Sequence, residues 1–155
     1  MEINGIAHIQ LTVNDMARSM PFYEQVLTAF GLRVVMRSEQ FFYCVGGRTG
    51  VAITPADSDQ RGEKFLQRRV GLHHVCFRAR AREDVDAAHA VAQSAGAAIV
   101  HPPQRDDIYA PGYYSVLFED PDGIRIEVNH VPGRGLLEPG AKSPVVDVVP
   151  GTKAE

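Results

Sequence analysis

Three side chains with lone pairs suited to a metal ion stand in strand-like runs of this 155-residue chain: His8 in GIAHIQLTV, His74 in GLHHVCFRA and Glu127 in GIRIEVNH. Two imidazoles and a carboxylate that leave coordination positions open form the set associated with non-heme Fe(II), and the same trio suits Mn, Ni, Co or Zn. A histidine taken singly is more often a satisfied structural residue than a ligand. Two at equivalent places of a repeat, joined by a carboxylate of matching strand parity, are hard to obtain from unrelated structural needs.

The repeat is explicit. Residues 5–13 and 71–79 share a glycine, an aliphatic residue, any residue, a histidine and then alternating apolar positions. After the first copy, Met16, Met20, Tyr23, Leu27 and Phe30 recur at helical spacing, and Gly31 ends the helix. Pro21 predicts a cap at Ser19, which places the proline in the first turn. After the second copy, Val85, Ala88, Ala92 and Ala95 share one face and Gly96 closes it. Strand-like segments follow each helix: 32–38, 40–47 and 49–55, then 97–101, 113–119 and 123–130. The order is βαβββ twice, an α+β domain over residues 1–132. Module 1 covers about 5–56, a polar linker with at most one helical turn 57–70, module 2 about 71–131, and a Gly/Pro-rich tail 133–155. Aligning Gly50 with Gly123 makes Thr54 the first-module counterpart of Glu127.

Strand parity sorts the faces. His8, Gln10 and Thr12 oppose Ile9, Leu11 and Val13; His74, Cys76 and Arg78 oppose Val75 and Phe77; Glu127 and Asn129 oppose Ile126 and Val128. With helices over the apolar faces, the polar faces line a common concavity. Arg78 and Arg125 are candidates for gripping a substrate carboxylate. His101 opens a long loop, HPPQRDDIYAPG, of the kind that lines sites, and Thr54, Tyr113 and Tyr114 complete the candidate substrate contacts. His73 and His130, at the opposite parity, read as structural, and His89 as solvent-facing; Cys44 and Cys76 read as small buried hydrophobes.

Composition narrows the partners. Lys and Arg number 16 against 19 Asp and Glu, so no basic excess exists to hold nucleic acid. No apolar run approaches a membrane span, and MEINGIAHIQ lacks the start of a secretory signal, so a cytoplasmic location is expected.

HIQLTVND with SMPFYEQVL, then HHVCFRA, then FEDPDGIRIEV, resemble the vicinal oxygen chelate superfamily over about residues 5–130. That superfamily includes glyoxalases, bleomycin-resistance proteins, fosfomycin-resistance transferases, epimerases and ring-cleaving dioxygenases. The resemblance implies two modules forming an open, mostly antiparallel eight-stranded barrel-like sheet around one divalent metal ion. Ligand positions on the first, fourth, fifth and eighth strands fall on His8, Thr54, His74 and Glu127. Thr54 is a poor ligand and no base, which leaves His8, His74 and Glu127 as the metal set and Glu127 as the catalytic residue. A small-molecule substrate with vicinal oxygens and a homodimer are implied, the modules pairing within a chain or between chains. A glyoxalase-like lyase or isomerase is the leading reading; an Fe(II)-dependent ring-cleaving dioxygenase and a drug-binding protein without catalysis are its rivals. Ring-cleaving enzymes carry a tyrosine where this chain has Leu117, and an acid-base histidine that residues 56–70 lack. The potassium-binding loop of the fosfomycin enzymes has no counterpart. The tail segment SPVVDVV is expected along a sheet edge or in an apolar groove of the dimer.

Overall fold

The structure is a computed structural model that describes residues 1–3, 5–135 and 138–141. SPVVDVV lies outside the described residues. The first module runs β1 (His8–Val13), α1 (Met16–Ala29), β2 (Arg33–Arg37), β3 (Phe42–Gly46) and β4 (Thr49–Pro55). The second repeats it with β5 (Val75–Arg78), α2 (Arg82–Ser94), β6 (Ala98–Arg105), β7 (Tyr114–Glu119) and β8 (Arg125–His130). The linker forms turns and contains no helical turn.

Each module makes its own four-stranded sheet, ordered β1-β4-β3-β2 and β5-β8-β7-β6. The first and last strands of a module pair in parallel, and the hairpin pairs are antiparallel. The expected open α+β architecture is therefore present, with the opening between two sheets: β1 and β5 both lie at sheet edges.

Helix α1 begins earlier than Pro21 suggests. Asp15 is the cap, its carboxylate accepting from the Ala17 amide at 2.8 Å, and the Ser19 amide already donates to the Asp15 carbonyl at 2.9 Å. Pro21 thus sits inside the helix. The donor it lacks would have served the carbonyl of Ala17, and both residues are exposed, so water can satisfy the freed oxygen. The buried face of α1, Phe22, Tyr23, Val26 and Leu27, covers the apolar side of the first sheet, where Leu11, Phe42, Val51 and Ile53 wait. Val85, Ala88 and Ala92 of α2 cover Val116, Phe118 and Ile126 in the same way.

The Asp-Pro-Asp-Gly turn before β8 joins the modules. Asp120 accepts from the Asp122 and Ile124 amides at 2.9 and 2.7 Å, and from the Tyr23 hydroxyl of α1 at 2.7 Å. Asp122 accepts from the Asn14 amide at 2.8 Å and from the Asn14 side chain at 3.0 Å. Both carboxylates are buried. Burial holds Asp120 above the usual carboxylate range despite those donors. Burial, then the charge of Asp120, pushes the Tyr23 hydroxyl well up.

Strand β6 is longer than its sequence suggests, running through Pro102 and Pro103 to Arg105. One register shift precedes His101 and a second spans the prolines, and β6 is a sheet edge where missing donors cost no ladder bond. The loop before β7 therefore starts after Arg105 rather than at His101.

Candidate metal centre

On the open face of the second sheet, His74 Nε2 lies 3.1 Å from Glu127 Oε2. His74 ends the approach to β5, and Glu127 lies mid-β8, opposite Cys76 on one side and Leu117 on the other. The Tyr113 hydroxyl donates to the second carboxylate oxygen, Glu127 Oε1, at 2.5 Å. The His74 side chain is 33% exposed and that of Glu127 13%, so the pair is reachable from solvent yet partly dry. Burial, then the bond to Glu127, raises the Tyr113 hydroxyl above its ordinary range. The Cys76 thiol is pushed up to about 12 by loss of water around it and then by the Glu127 charge, although the residue itself keeps contact with solvent. The expectation of a buried cysteine holds for Cys44 and not for Cys76.

Behind His74 runs a line of hydrogen bonds. Glu119 receives Arg125 at 3.1 Å, Arg125 donates to Gln67 at 2.5 Å, Gln67 Nε2 lies 3.1 Å from His73 Nδ1, and His73 Nδ1 lies 2.7 Å from His74 Nδ1. Loss of water, then the charges of His74, Arg125 and Arg68, holds His73 below its ordinary value. Parity gave no hint of this contact, because His73 and His74 precede β5, where the chain does not yet alternate.

His8 stands apart. It is exposed on β1 in the other sheet, opposite Gly50. Among the described residues of one chain, no three His, Cys, Asp or Glu side chains converge on a common point.

The register also moves the fourth-strand position. With His8 and His74 superposed, Cys76 faces Glu127 and the equivalent Gln10 faces Ala52, so Ala52, not Thr54, stands where Glu127 stands. The glycine alignment misleads because Gly50 lies within β4, whereas Gly123 lies in the turn before β8 at φ +87°. Gly50 has another role: a Cβ there would collide with the Tyr43 ring, which would have to move. Thr54 faces Thr12 and lies 3.5 Å from the Gln10 amide nitrogen.

The remaining candidates divide. His101 faces Leu117, which faces Glu127, so it shares the open face; its Nδ1 lies 3.0 Å from the Pro102 carbonyl oxygen. Arg78 faces Asn129 on that side and is exposed. Arg125 is held by Glu119 and Gln67. Tyr114 is outside the site: as the first residue of β7 it is buried, donates to Asp86 of α2 at 2.8 Å and carries the Arg82 guanidinium 4.1 Å over its ring.

The family model described as the Glyoxalase/Bleomycin resistance protein/Dioxygenase superfamily matches residues 5–128. The uncharacterized protein YqjT of Bacillus subtilis (strain 168) is 26% identical over 121 residues, which span 78% of this chain and 94% of that protein. Among solved structures, a glyoxalase/bleomycin resistance protein from Albidiferax ferrireducens T118 superposes with a TM-score of 0.67 at 25% identity, covering 82% of this chain and 98% of the other. Lactoylglutathione lyase from Agrobacterium tumefaciens superposes with a TM-score of 0.60 at 24% identity, covering 84% and 96%.

Proposed function

Because the chain belongs to the glyoxalase/bleomycin resistance protein/dioxygenase superfamily, we propose that it is a divalent-metal-dependent lyase or isomerase acting on a small substrate with vicinal oxygens. The observation that carries the reading is the His74–Glu127 pair, an imidazole nitrogen and a carboxylate oxygen 3.1 Å apart on an open, solvent-reachable sheet face. Two such donors, side by side and partly desolvated, are relieved by a cation or a proton between them, so the residues present fit a metal. His74 and Glu127 would hold it, with His8 as the third donor. A divalent ion there would act as a Lewis acid toward a substrate carbonyl or hydroxyl oxygen.

The protein's own groups supply the rest. Tyr113 occupies Glu127 Oε1 and thereby directs Oε2 toward His74. Glu127 is the carboxylate able to exchange a proton with substrate, and Arg78 and His101 border the same face for orientation. Since His8 lies in the first sheet and both β1 and β5 are edges, the third donor comes from the partner in a homodimer, whose association also covers those edges. Glu127→Gln and His74→Ala should each abolish stoichiometric metal in protein purified without chelator; metal retained by both variants excludes the assignment.

One feature favours a second reading, the ring-cleaving dioxygenase. Ring-cleaving enzymes carry a tyrosine where this chain has Leu117, opposite Glu127, and here the Tyr113 hydroxyl donates to that same Glu127. Anaerobic loading with Fe(II) followed by oxygen uptake over a catechol panel separates the two, since only the dioxygenase consumes oxygen in step with substrate.

A further inference from the structure

We propose that Tyr43, in the first module, is a substrate-binding residue whose hydroxyl donates a hydrogen bond to one of the substrate's vicinal oxygens. The inference rests on the reading of His8 as a metal donor, because Tyr43 shares the open face of that sheet. On β3, Tyr43 faces Ala52 of β4, and Ala52 faces Gln10 of β1, two residues beyond His8. Its strand neighbours Phe42 and Cys44 belong to the core. Tyr43 therefore lies on the side that carries His8, Gln10 and the Glu127 counterpart Ala52.

The floor beneath the ring is made of residues with little or no side chain. Ala52 lies opposite Tyr43, and Gly50, the next residue of β4 on that face, lies opposite His8. The Tyr43 ring reaches diagonally over Gly50, so that its hydroxyl oxygen and two ring carbons stand in the space a Cβ would take. Phe41 packs against the ring with centroids 6.0 Å apart, and Met36, facing Tyr43 on β2, is exposed beside it. The hydroxyl is thereby held over the Gly50–His8 rung of the sheet. Tyr23, Tyr113 and Tyr114 give their hydroxyls to Asp120, Glu127 and Asp86, whereas that of Tyr43 meets no hydrogen-bond partner among the described residues. A half-buried phenol, fixed by packing and with its donor unspent, is a preorganised contact for a ligand oxygen. Met36 and Phe41 suit an apolar part of the same ligand. Whichever way the modules pair, Tyr43 enters the site with His8, since both belong to one sheet.

The test is a spectrophotometric titration of the protein as isolated with 4-nitrocatechol, a chromophoric vicinal diol, with elemental analysis of the metal in every sample. Tyr43→Phe keeps the ring over Gly50 and removes only the donor. It should retain the wild-type metal content and bind the probe about ten-fold more weakly. Gly50→Ala leaves the hydroxyl in place on Tyr43 but displaces the ring, and should weaken binding to a similar degree. In the double variant the two losses should not multiply, because both remove one contact. Unchanged affinity in Tyr43→Phe overturns the proposal, as does a loss of affinity that follows a loss of metal. Losses that multiply in the double variant, or a wild type that does not bind the probe, overturn it as well. If Gly50→Ala fails to fold, Tyr43→Phe decides alone. A wild type that binds the probe but holds no metal defeats the metal reading, and the comparison with Tyr43→Phe still decides the role of the hydroxyl.

Discussion

The two modules share a plan and differ in what they place on their open faces. In the first, His8 stands opposite Gly50, and Ala52 occupies the position that Glu127 holds in the second. In the second, His74, Glu127, Tyr113, His73, Gln67 and Arg125 form one connected hydrogen-bonded set. The apolar faces hardly differ in role: each is covered by its own helix, and the two cores merge into one cluster. The two modules thus keep the side that folds alike and differ on the open side. On the proposed metal reading, the first module contributes the single donor His8 and the second the pair His74 and Glu127.

The largest expected effect tests that asymmetry directly. His8→Ala and Glu127→Gln should each lack metal as pure proteins. Refolded together from an equimolar mixture, they should regain metal at about a quarter of all sites, because half the dimers are mixed and each mixed dimer has one site built from two intact halves. Elemental analysis of the refolded mixture reads this out. No recovery means that His8 and Glu127 of one chain serve the same site, and the two modules then pair within the subunit.

The glycine-histidine repeat was legible because it lies in the backbone plan: a strand start, an apolar stripe and a helix end each impose a local residue choice. Both helices, the βαβββ order, the buried faces and the His74–Glu127 neighbourhood follow from it. Contacts that depend on register or on irregular backbone were not legible. Thr54 was aligned through a glycine that lies within a strand in one module and in a turn in the other, and Ala52 took its place. Pro21 suggested a late cap, whereas an exposed carbonyl tolerates it inside the helix. His73 was assigned by strand parity to a stretch that is not strand, and Gln67 carried no signal, since nothing local marks a linker amide as the neighbour of a residue six positions on.

A smaller effect sharpens the contrast between the merged cores and the separate faces. Asp122 is buried and accepts two bonds from Asn14, across the junction of the modules. Asp122→Ala strands the Asn14 amide and should cost about 2–3 kcal/mol, a fall in Tm of roughly 5–10 °C for a chain of this size. Because the cores form one cluster, the melt should remain a single transition, followed by calorimetry. Two resolved transitions would show that the modules unfold independently and that their union is confined to this turn.

The smallest expected effect concerns Asp120, the other carboxylate of that turn. Burial raises it above the usual range, while the Tyr23 hydroxyl and the Ile124 and Asp122 amides pull it down without fully compensating. A carboxyl whose folded value exceeds its unfolded value binds protons more tightly when folded. Its stabilising contribution is therefore complete below the unfolded value and is lost as pH rises through the folded one. Asp120→Asn removes this dependence, so the stability of wild type relative to the variant should grow as pH is lowered from neutral through the carboxylate range. Tyr23→Phe deletes one of the groups that lowers Asp120 and should widen the same window upward. Melting curves of the three proteins across that range read out the effect. A difference between wild type and Asp120→Asn that stays constant, or shrinks toward acid, would mean that the donors at this turn outweigh burial and that the junction is held by a charge rather than in spite of one.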